Sequence, residues 1–273
     1  MSISRKFQRS KSKYTLSQKI ISAVTAAGFI MQPFTAFANS INKVNNNDTI
    51  KVNGNVTNIW ADKVVSNSAV NVFKDFQLDA NNIAHMYFNT KGASGADAAN
   101  LVNFVNSRID INGTVNAIQN SQIGGNLFFL SKEGMAVGKS GVINTGSLYV
   151  MTPTADYIDN MKVVAGTADA ATAEKELNAI TNITKDANAW QVIPVNTSGT
   201  ITVLGKVNAT NEVQMRAAKI GVGKNVSGEL KDDEGTVIME ADAANKEAYI
   251  KTGITNFADI VNIKNADGTA SIT

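Results

Sequence analysis

The chain of 273 residues has no cysteine, one histidine, three prolines and only 7% aromatic residues. Without cysteine it has no disulfide framework, thiolate metal site or cysteine nucleophile. A single imidazole excludes a His-pair metal site and leaves His85 as the one histidine open to a Ser-His-Asp arrangement. Charged residues amount to 18% and mean hydropathy is −0.07, values of neither a disordered nor a membrane-embedded chain. Acidic residues are missing from the first 47 positions, while Arg5, Lys6, Arg9, Lys11, Lys13 and Lys19 crowd the start. No long hydrophobic run follows. The apolar stretch Ile20–Met31 covers 12 residues, where spanning a bilayer takes roughly 20.

After that stretch come Pro33 and the small-residue triplet Ala36-Phe37-Ala38. A basic start, a short apolar middle and an A-x-A end compose a secretory signal peptide. Residues 1–38 are therefore expected to be an extended signal, cleaved between Ala38 and Asn39 with Ala36 and Ala38 read by the peptidase. Its loss leaves 19 basic and 23 acidic residues, so the formal charge changes from +2 to −4. A mildly acidic mature chain does not suit a nucleic-acid partner. The lack of cysteine suits passage through an oxidising periplasm, where a premature disulfide would block export of an unfolded chain.

What the chain has in excess is asparagine, at 33 residues. Asparagine tolerates left-handed backbone angles and hydrogen-bonds its own chain, which predicts many tight corners. Short motifs also recur. Ile50-Lys51-Val52-Asn53-Gly54-Asn55-Val56 is repeated as Ile109-Asp110-Ile111-Asn112-Gly113-Thr114-Val115 and, with one change, as Ile201-Thr202-Val203-Leu204-Gly205-Lys206-Val207. Met135-Ala136-Val137-Gly138-Lys139 matches Ile220-Gly221-Val222-Gly223-Lys224. Period-two alternation predicts half-buried strands, and the glycines predict corners. Gly113 and Gly138 are 25 residues apart and Gly205 and Gly223 are 18 apart, near the ~20–25 of one coil of a β-solenoid. A β-sandwich of short strands is the competing fold; recurrence of one strand pattern with glycine in one place favours the coil.

Residues 153–197 and 240–262 depart from the pattern. Asp169–Asn178 and Ala241–Ala248 are rich in helix formers, so both segments are expected to leave the coil and return, as is the loop Gly92–Ala99. The chain reaches Thr273 within another alternation and shows no closing signal, so 39–273 is expected to be the front part of a longer protein.

Between Ile41 and Leu204 the sequence resembles the N-terminal secretion domain of filamentous haemagglutinin-like two-partner secretion exoproteins. Asn71-Val72-Phe73-Lys74-Asp75-Phe76-Gln77-Leu78 is similar to the family strand N-x-F-x-x-F-x-[VL]. Asn126-Leu127-Phe128-Phe129-Leu130 with Gly134-Met135-Ala136-Val137-Gly138 is similar to the family core L-[FL]-L-[VI]-N-P-N-G-I-x-[FV]-G, and Gly141–Leu148 to the following coil. Where the family carries Asn-Pro-Asn-Gly, this chain has Ser131-Lys132-Glu133-Gly134, as in a branch similar to leukotoxin-like adhesins of anaerobic bacteria. Gly134 can still supply positive φ, and Ser131 can bond its own backbone. Repeat and resemblance together predict an all-β fold: a right-handed parallel β-helix (solenoid) with an N-terminal cap and short hairpin or helix excursions.

The resemblance implies an export address with no catalysis and no cofactor. Such a domain is handed through the periplasm to an outer-membrane β-barrel transporter with periplasmic docking modules. It folds first at the cell surface and nucleates the rest of a secreted adhesin, whose remainder would meet a host surface or other bacteria. Asn71, Phe73, Phe76, Asn126, Ser131, Gly134 and Gly138 are the residues expected to matter for transporter recognition. The alternatives are a β-helical polysaccharide-degrading enzyme and the front of a contact-dependent inhibition toxin or cytolysin. Residues suited to chemistry are few: His85 lies on a strand-like run without a partner motif. Asp232-Asp233-Glu234 lacks the alternating oxygen ligands of a Ca²⁺ loop, and Gly124-Gly125 and Gly221-x-Gly223 lack a phosphate-loop context. Trp60 and Trp190 read as core or cap residues, Arg108 and Arg216 as strand residues, and no paired acids recur at one coil position.

Overall fold

Alternation in the sequence becomes alternation of burial in the structure, which is a computed structural model. It describes residues 39–44, 47–186, 189–222, 237–240, 248–251 and 270–272. Strands hold 54% of the described residues, so the fold is mostly β, with one mixed sheet and two short helices. The first strands are β1 (Ser40–Lys43), β2 (Ile50–Asn53), β3 (Val56–Ala61), β4 (Lys63–Val65) and the long β5 (Ser68–Leu78). Then come β6 (Ile83–Thr90), β7 (Asn100–Val105), β8 (Ile109–Ile111), β9 (Thr114–Gln119), β10 (Gln122–Ile123), β11 (Asn126–Ser131), β12 (Gly134–Val137) and β13 (Val142–Met151). Helices α1 (Ala155–Thr167) and α2 (Ala170–Thr181) precede β14 (Thr200–Val203), β15 (Lys206–Ala217) and β16 (Lys219–Val222).

The described strands form three parallel ladders. One joins β3, β6, β9 and the first parts of β13 and β15. The second joins the first half of β5 with β7, β11 and the second parts of β13 and β15. The third joins the end of β5 with β8, β12, β14 and β16. Bonded partners on neighbouring rungs, Asn100 with Asn126 and Asn116 with Asn144, lie 26 and 28 residues apart. The interval grows to 64 between Asn144 and Asn208, because the two helices intervene.

Glycine holds one column of corners together. A Cβ on Gly113 would lie 2.3 Å from the Asn82 carbonyl oxygen, one on Gly141 2.3 Å from that of Ile111, and one on Gly205 2.3 Å from that of Gly138. These are contacts no side-chain carbon tolerates. The close approach permits backbone bonds between rungs: Val142 N–H donates to the Gly113 carbonyl at 2.9 Å and Lys206 N–H to that of Gly141 at 2.8 Å. The recurring motif thus marks a shared place in space. Ile109, Met135, Ile201 and Ile220 stand in register in the third ladder, followed by Ile111, Val137, Val203 and Val222.

The copy at Ile50–Val56 is the exception. It is an antiparallel hairpin of β2 and β3, closed by Gly54-Asn55 with Gly54 at φ +59°. A two-residue turn with glycine first returns the chain on itself instead of carrying it to a new rung. Strands β17 (Val237–Glu240), β18 (Ala248–Lys251) and β19 (Ala270–Ile272) pair antiparallel with β16 and β15. Residues 241–247, expected to be helix-prone, lie outside the described residues.

Inward positions build one core that includes Phe76, Leu101, Phe129, Val137, Ile143 and Ile201. The second ladder is covered on both faces. In β7, Leu101 and Val105 face that core, whereas Val102 and Phe104 face a second cluster with Phe128, Tyr149 and Trp190. Helix α2 starts at Asp169, whose carboxylate accepts from Thr172 N–H at 2.9 Å, and it buries Ala173, Leu177 and Ile180 along one face. The expected excursion is therefore a lid of helix on sheet. Asparagine also serves strands as well as corners. Asn58, His85, Asn116, Asn144 and Asn208 stand in register on the outer face of the first ladder. Within that file Asn208 donates to Asn144 at 2.7 Å and Asn144 to Asn116 at 2.8 Å. Phe129 is fully buried against Phe76, ring centroids 5.4 Å apart. Phe129→Ala should therefore lower unfolding stability by about 3–5 kcal/mol, read from chemical denaturation.

Candidate functional site

The motif strand Asn71–Leu78 turns a corner of the core. Phe73 and Phe76 are both fully buried, while Lys74 between them is exposed. The strand leaves the second ladder after Phe73 and enters the third at Phe76. Two inward phenylalanines flanking an outward pair fill the bend, meeting edge to face with centroids 5.2 Å apart. That packing explains the F-x-x-F spacing without any appeal to a ligand.

The divergent corner Ser131–Gly134 is tied to the rungs on either side. The Ser131 hydroxyl donates to the Ser107 carbonyl at 2.7 Å and accepts from the N–H groups of Glu133 (3.2 Å) and Gly134 (3.3 Å). Glu133 Oε2 accepts from Arg108 N–H at 3.1 Å, and Asn196 donates to the Lys132 carbonyl at 2.7 Å. Gly134 has φ +101°, and a Cβ there would lie 1.7 Å from the Thr200 carbonyl oxygen. Serine and glycine thus make this turn. Lys132 lines a recess of about 250 Å³ together with Asn106, Asp159 and Lys162 of α1. Asn126 opens β11 and donates to Asn100 Oδ1 at 3.0 Å; Gly138 N–H donates to the Ile111 carbonyl at 2.9 Å.

Asn71 belongs to a polar group that sequence reading missed. The Lys43 side chain is fully buried and its Nζ donates to Asn71 Oδ1 at 2.8 Å, Asp62 Oδ1 at 2.8 Å, Thr49 Oγ1 at 2.6 Å and the Trp60 carbonyl at 2.6 Å. Asn71 Nδ2 donates to Asn103 Oδ1 at 2.9 Å, and Asn103 Nδ2 to the Phe128 carbonyl at 2.9 Å. Burial pushes the Lys43 ammonium below the usual lysine range, against the opposing pull of the Asp62 charge. One signal in the sequence pointed here: Lys43 shares the strand parity of Ile41, which is buried, so the alternation itself places a charge inward.

The expected recognition residues do not form one surface. Asn71, Phe73, Phe76, Ser131 and Gly134 are buried, each engaged in packing or backbone bonding. Ala36 and Ala38 lie outside the described residues, as does Asp232–Glu234; Asn39 is exposed just before β1. His85 occupies a rung of the outer asparagine file, and Trp190 is buried, its Nε1 donating to the Ile180 carbonyl at 2.9 Å. Trp60 stacks on Tyr87 at 5.0 Å. Among the described residues no group of three His, Asp or Glu side chains converges to hold a metal, and no helix is long and apolar enough to cross a membrane. Comparison with protein-family models, curated proteins and solved structures returned no match.

The corner geometry separates two glycine substitutions. Gly134→Ala should cost more than about 3 kcal/mol, since strain adds to overlap with backbone. Gly92→Ala, at φ +78° with open space around it, should cost about 1–2 kcal/mol. Equal midpoints in urea for the two variants would contradict the assignment.

Proposed function

We propose that residues 39–273 are the secretion domain of a two-partner system, and that the three ladders are faces of a right-handed parallel β-helix. The supporting observation is the register: strands about one coil apart pair in parallel in all three ladders, behind a start made of antiparallel strands β1, β2 and β4. A chain so arranged has a capped first rung on which each later rung gains stacking at a local ordering cost. Folding can then proceed outward from the N-terminal end as the chain emerges from a barrel. The full protein is on this reading a surface adhesin, and the 1–38 segment is its signal.

The unfolded chain offers unpaired strand edges to a periplasmic docking module, by β-augmentation. Burial of Asn71, Phe73 and Phe76 in the folded chain favours that order of events: these side chains are readable before folding and hidden after it. The test is export from a Gram-negative host carrying or lacking an outer-membrane β-barrel transporter of the two-partner type. Barrel-dependent release is expected, with exported material starting at Asn39 on N-terminal sequencing. Deletion of 71–88 should leave the protein in the periplasm. Export without the barrel would overturn the reading.

A further inference from the structure

We propose that Lys43 and Asn71 become joined by an intramolecular isopeptide bond, with Asp62 as the proton carrier. The inference is independent of the secretion reading. It rests on three side chains that meet in one place: a buried primary amine, a buried carboxamide and a carboxylate touching the amine. Lys43 stands opposite Phe73 in the antiparallel pairing of β1 with β5. Asn71 is two residues along the same face, within diagonal reach of a long side chain. The Lys43 Nζ to Asn71 Oδ1 distance of 2.8 Å, with a C=O bond of ~1.23 Å, keeps the nitrogen within about 4 Å of the carbon bonded to that oxygen, from which a small shift reaches the ~3–3.5 Å of a near-attack arrangement.

The surroundings suit the reaction. Lys43 and Asn71 are shielded from solvent, and the Phe73 ring lies 5.7 Å from Nζ. Desolvation favours the neutral, nucleophilic amine, against the opposing pull of the Asp62 charge. Asp62 Oδ1 accepts from Nζ at 2.8 Å, and Asp62 N–H donates to Asn71 Oδ1 at 3.2 Å. The carboxylate is therefore placed to take a proton from nitrogen, and the N–H to hold charge on oxygen. Asn103 Oδ1 meanwhile accepts from Nδ2, the group that departs, at 2.9 Å.

The step balances within the protein. The lone pair of neutral Nζ forms a bond to Asn71 Cγ, and the carbonyl π pair moves onto Oδ1. The Asp62 carboxylate takes one proton from Nζ and passes it to Nδ2. The carbonyl re-forms, the Cγ–Nδ2 bond breaks, and ammonia leaves with that bonding pair. The products are one amide and one ammonia, with Asp62 again ionised and no oxidant or reductant consumed. Asn71 and not Asp62 is the acylating partner, because the Asp62 side chain is 25% exposed and both its oxygens accept hydrogen bonds as a carboxylate, Oδ2 from Val72 N–H at 3.0 Å. The bond would tie β1 to β5 across 28 residues, so that the first strand cannot peel from the sheet.

Mass spectrometry of the purified, folded chain decides the matter. After incubation at mildly alkaline pH the chain is expected to be lighter than its sequence by one ammonia. Trypsin should fail to cut at Lys43, and the peptide containing it should carry the peptide Val64–Lys74 as a branch. Asn71→Ala should abolish the branch. Asp62→Asn, which keeps the shape of the side chain, should leave the folded chain at its sequence mass. Complete cleavage at Lys43 after that incubation overturns the proposal. So does a branch to the peptide ending at Lys63 with loss of one water, which would make Asp62 the partner. A branch persisting in Asp62→Asn would remove Asp62 from the chemistry.

Discussion

The structure depends on how closely one corner of backbone lies upon the next. At Gly113, Gly141 and Gly205 a carbonyl oxygen from elsewhere occupies the place a Cβ would take. Only there can the N–H of Thr114, Val142 and Lys206 reach the carbonyls of Asn82, Gly113 and Gly141. Those bonds fix the register of the strands that leave the corner. Since side chains alternate with period two, a slip of one residue would turn every inward Ile and Val outward. The glycine column and the apolar core are therefore one device seen at two levels. Close contact sets the register, and the register stacks like on like.

Against this apolar interior the Lys43 group stands out. Taking an ammonium out of water costs several kcal/mol before any partner is counted, and a Met or Leu at position 43 would fill similar space at no such cost. Four acceptors within 2.8 Å offset part of the cost and make the position selective. A strand pairing with β5 in any other register would leave the charge unmatched. The network continues through Asn71 and Asn103 to the Phe128 carbonyl, so it links the antiparallel start to the first parallel rungs. A polar column that accepts one alignment is a means of specifying where stacking begins.

Strands with one wet face were legible in the sequence, because burial follows alternation: Val56–Ala61, Ile83–Thr90 and Thr114–Gln119 read in and out residue by residue. So was α2, from its helix formers. The second ladder was harder. Asn100–Val105 and Asn126–Ser131 are buried on both faces, and a two-sided strand carries no alternation to read. What covers it, Leu177, Ile180 and Trp190, lies in a segment that composition alone marks only as a departure. The hairpin at Ile50–Val56 was misleading for a different reason. Glycine after an alternating pair serves a corner and a reversal equally well, and the difference lies in partners that are distant in the chain.

The residues by which the chain resembles an export family are, in this structure, the residues its packing most needs. Phe73 and Phe76 fill a bend, Ser131 and Gly134 make a turn, and Asn71 holds Lys43. Each would be retained for folding alone, so their presence cannot by itself separate recognition from architecture. The two demands separate on time. A residue used for packing acts once the rungs exist, whereas a residue read by a transporter must act while the strand is still open. Lys74 and Lys132 escape the first demand: Lys74 points outward from its bend, and Lys132 offers its side chain at a corner whose turn is made by its neighbours. Where this chain departs from the resembling motif, at Ser131, Lys132 and Glu133, the turn is kept by the Ser131 hydroxyl and Gly134, and Glu133 adds a bond to Arg108 N–H on the neighbouring rung.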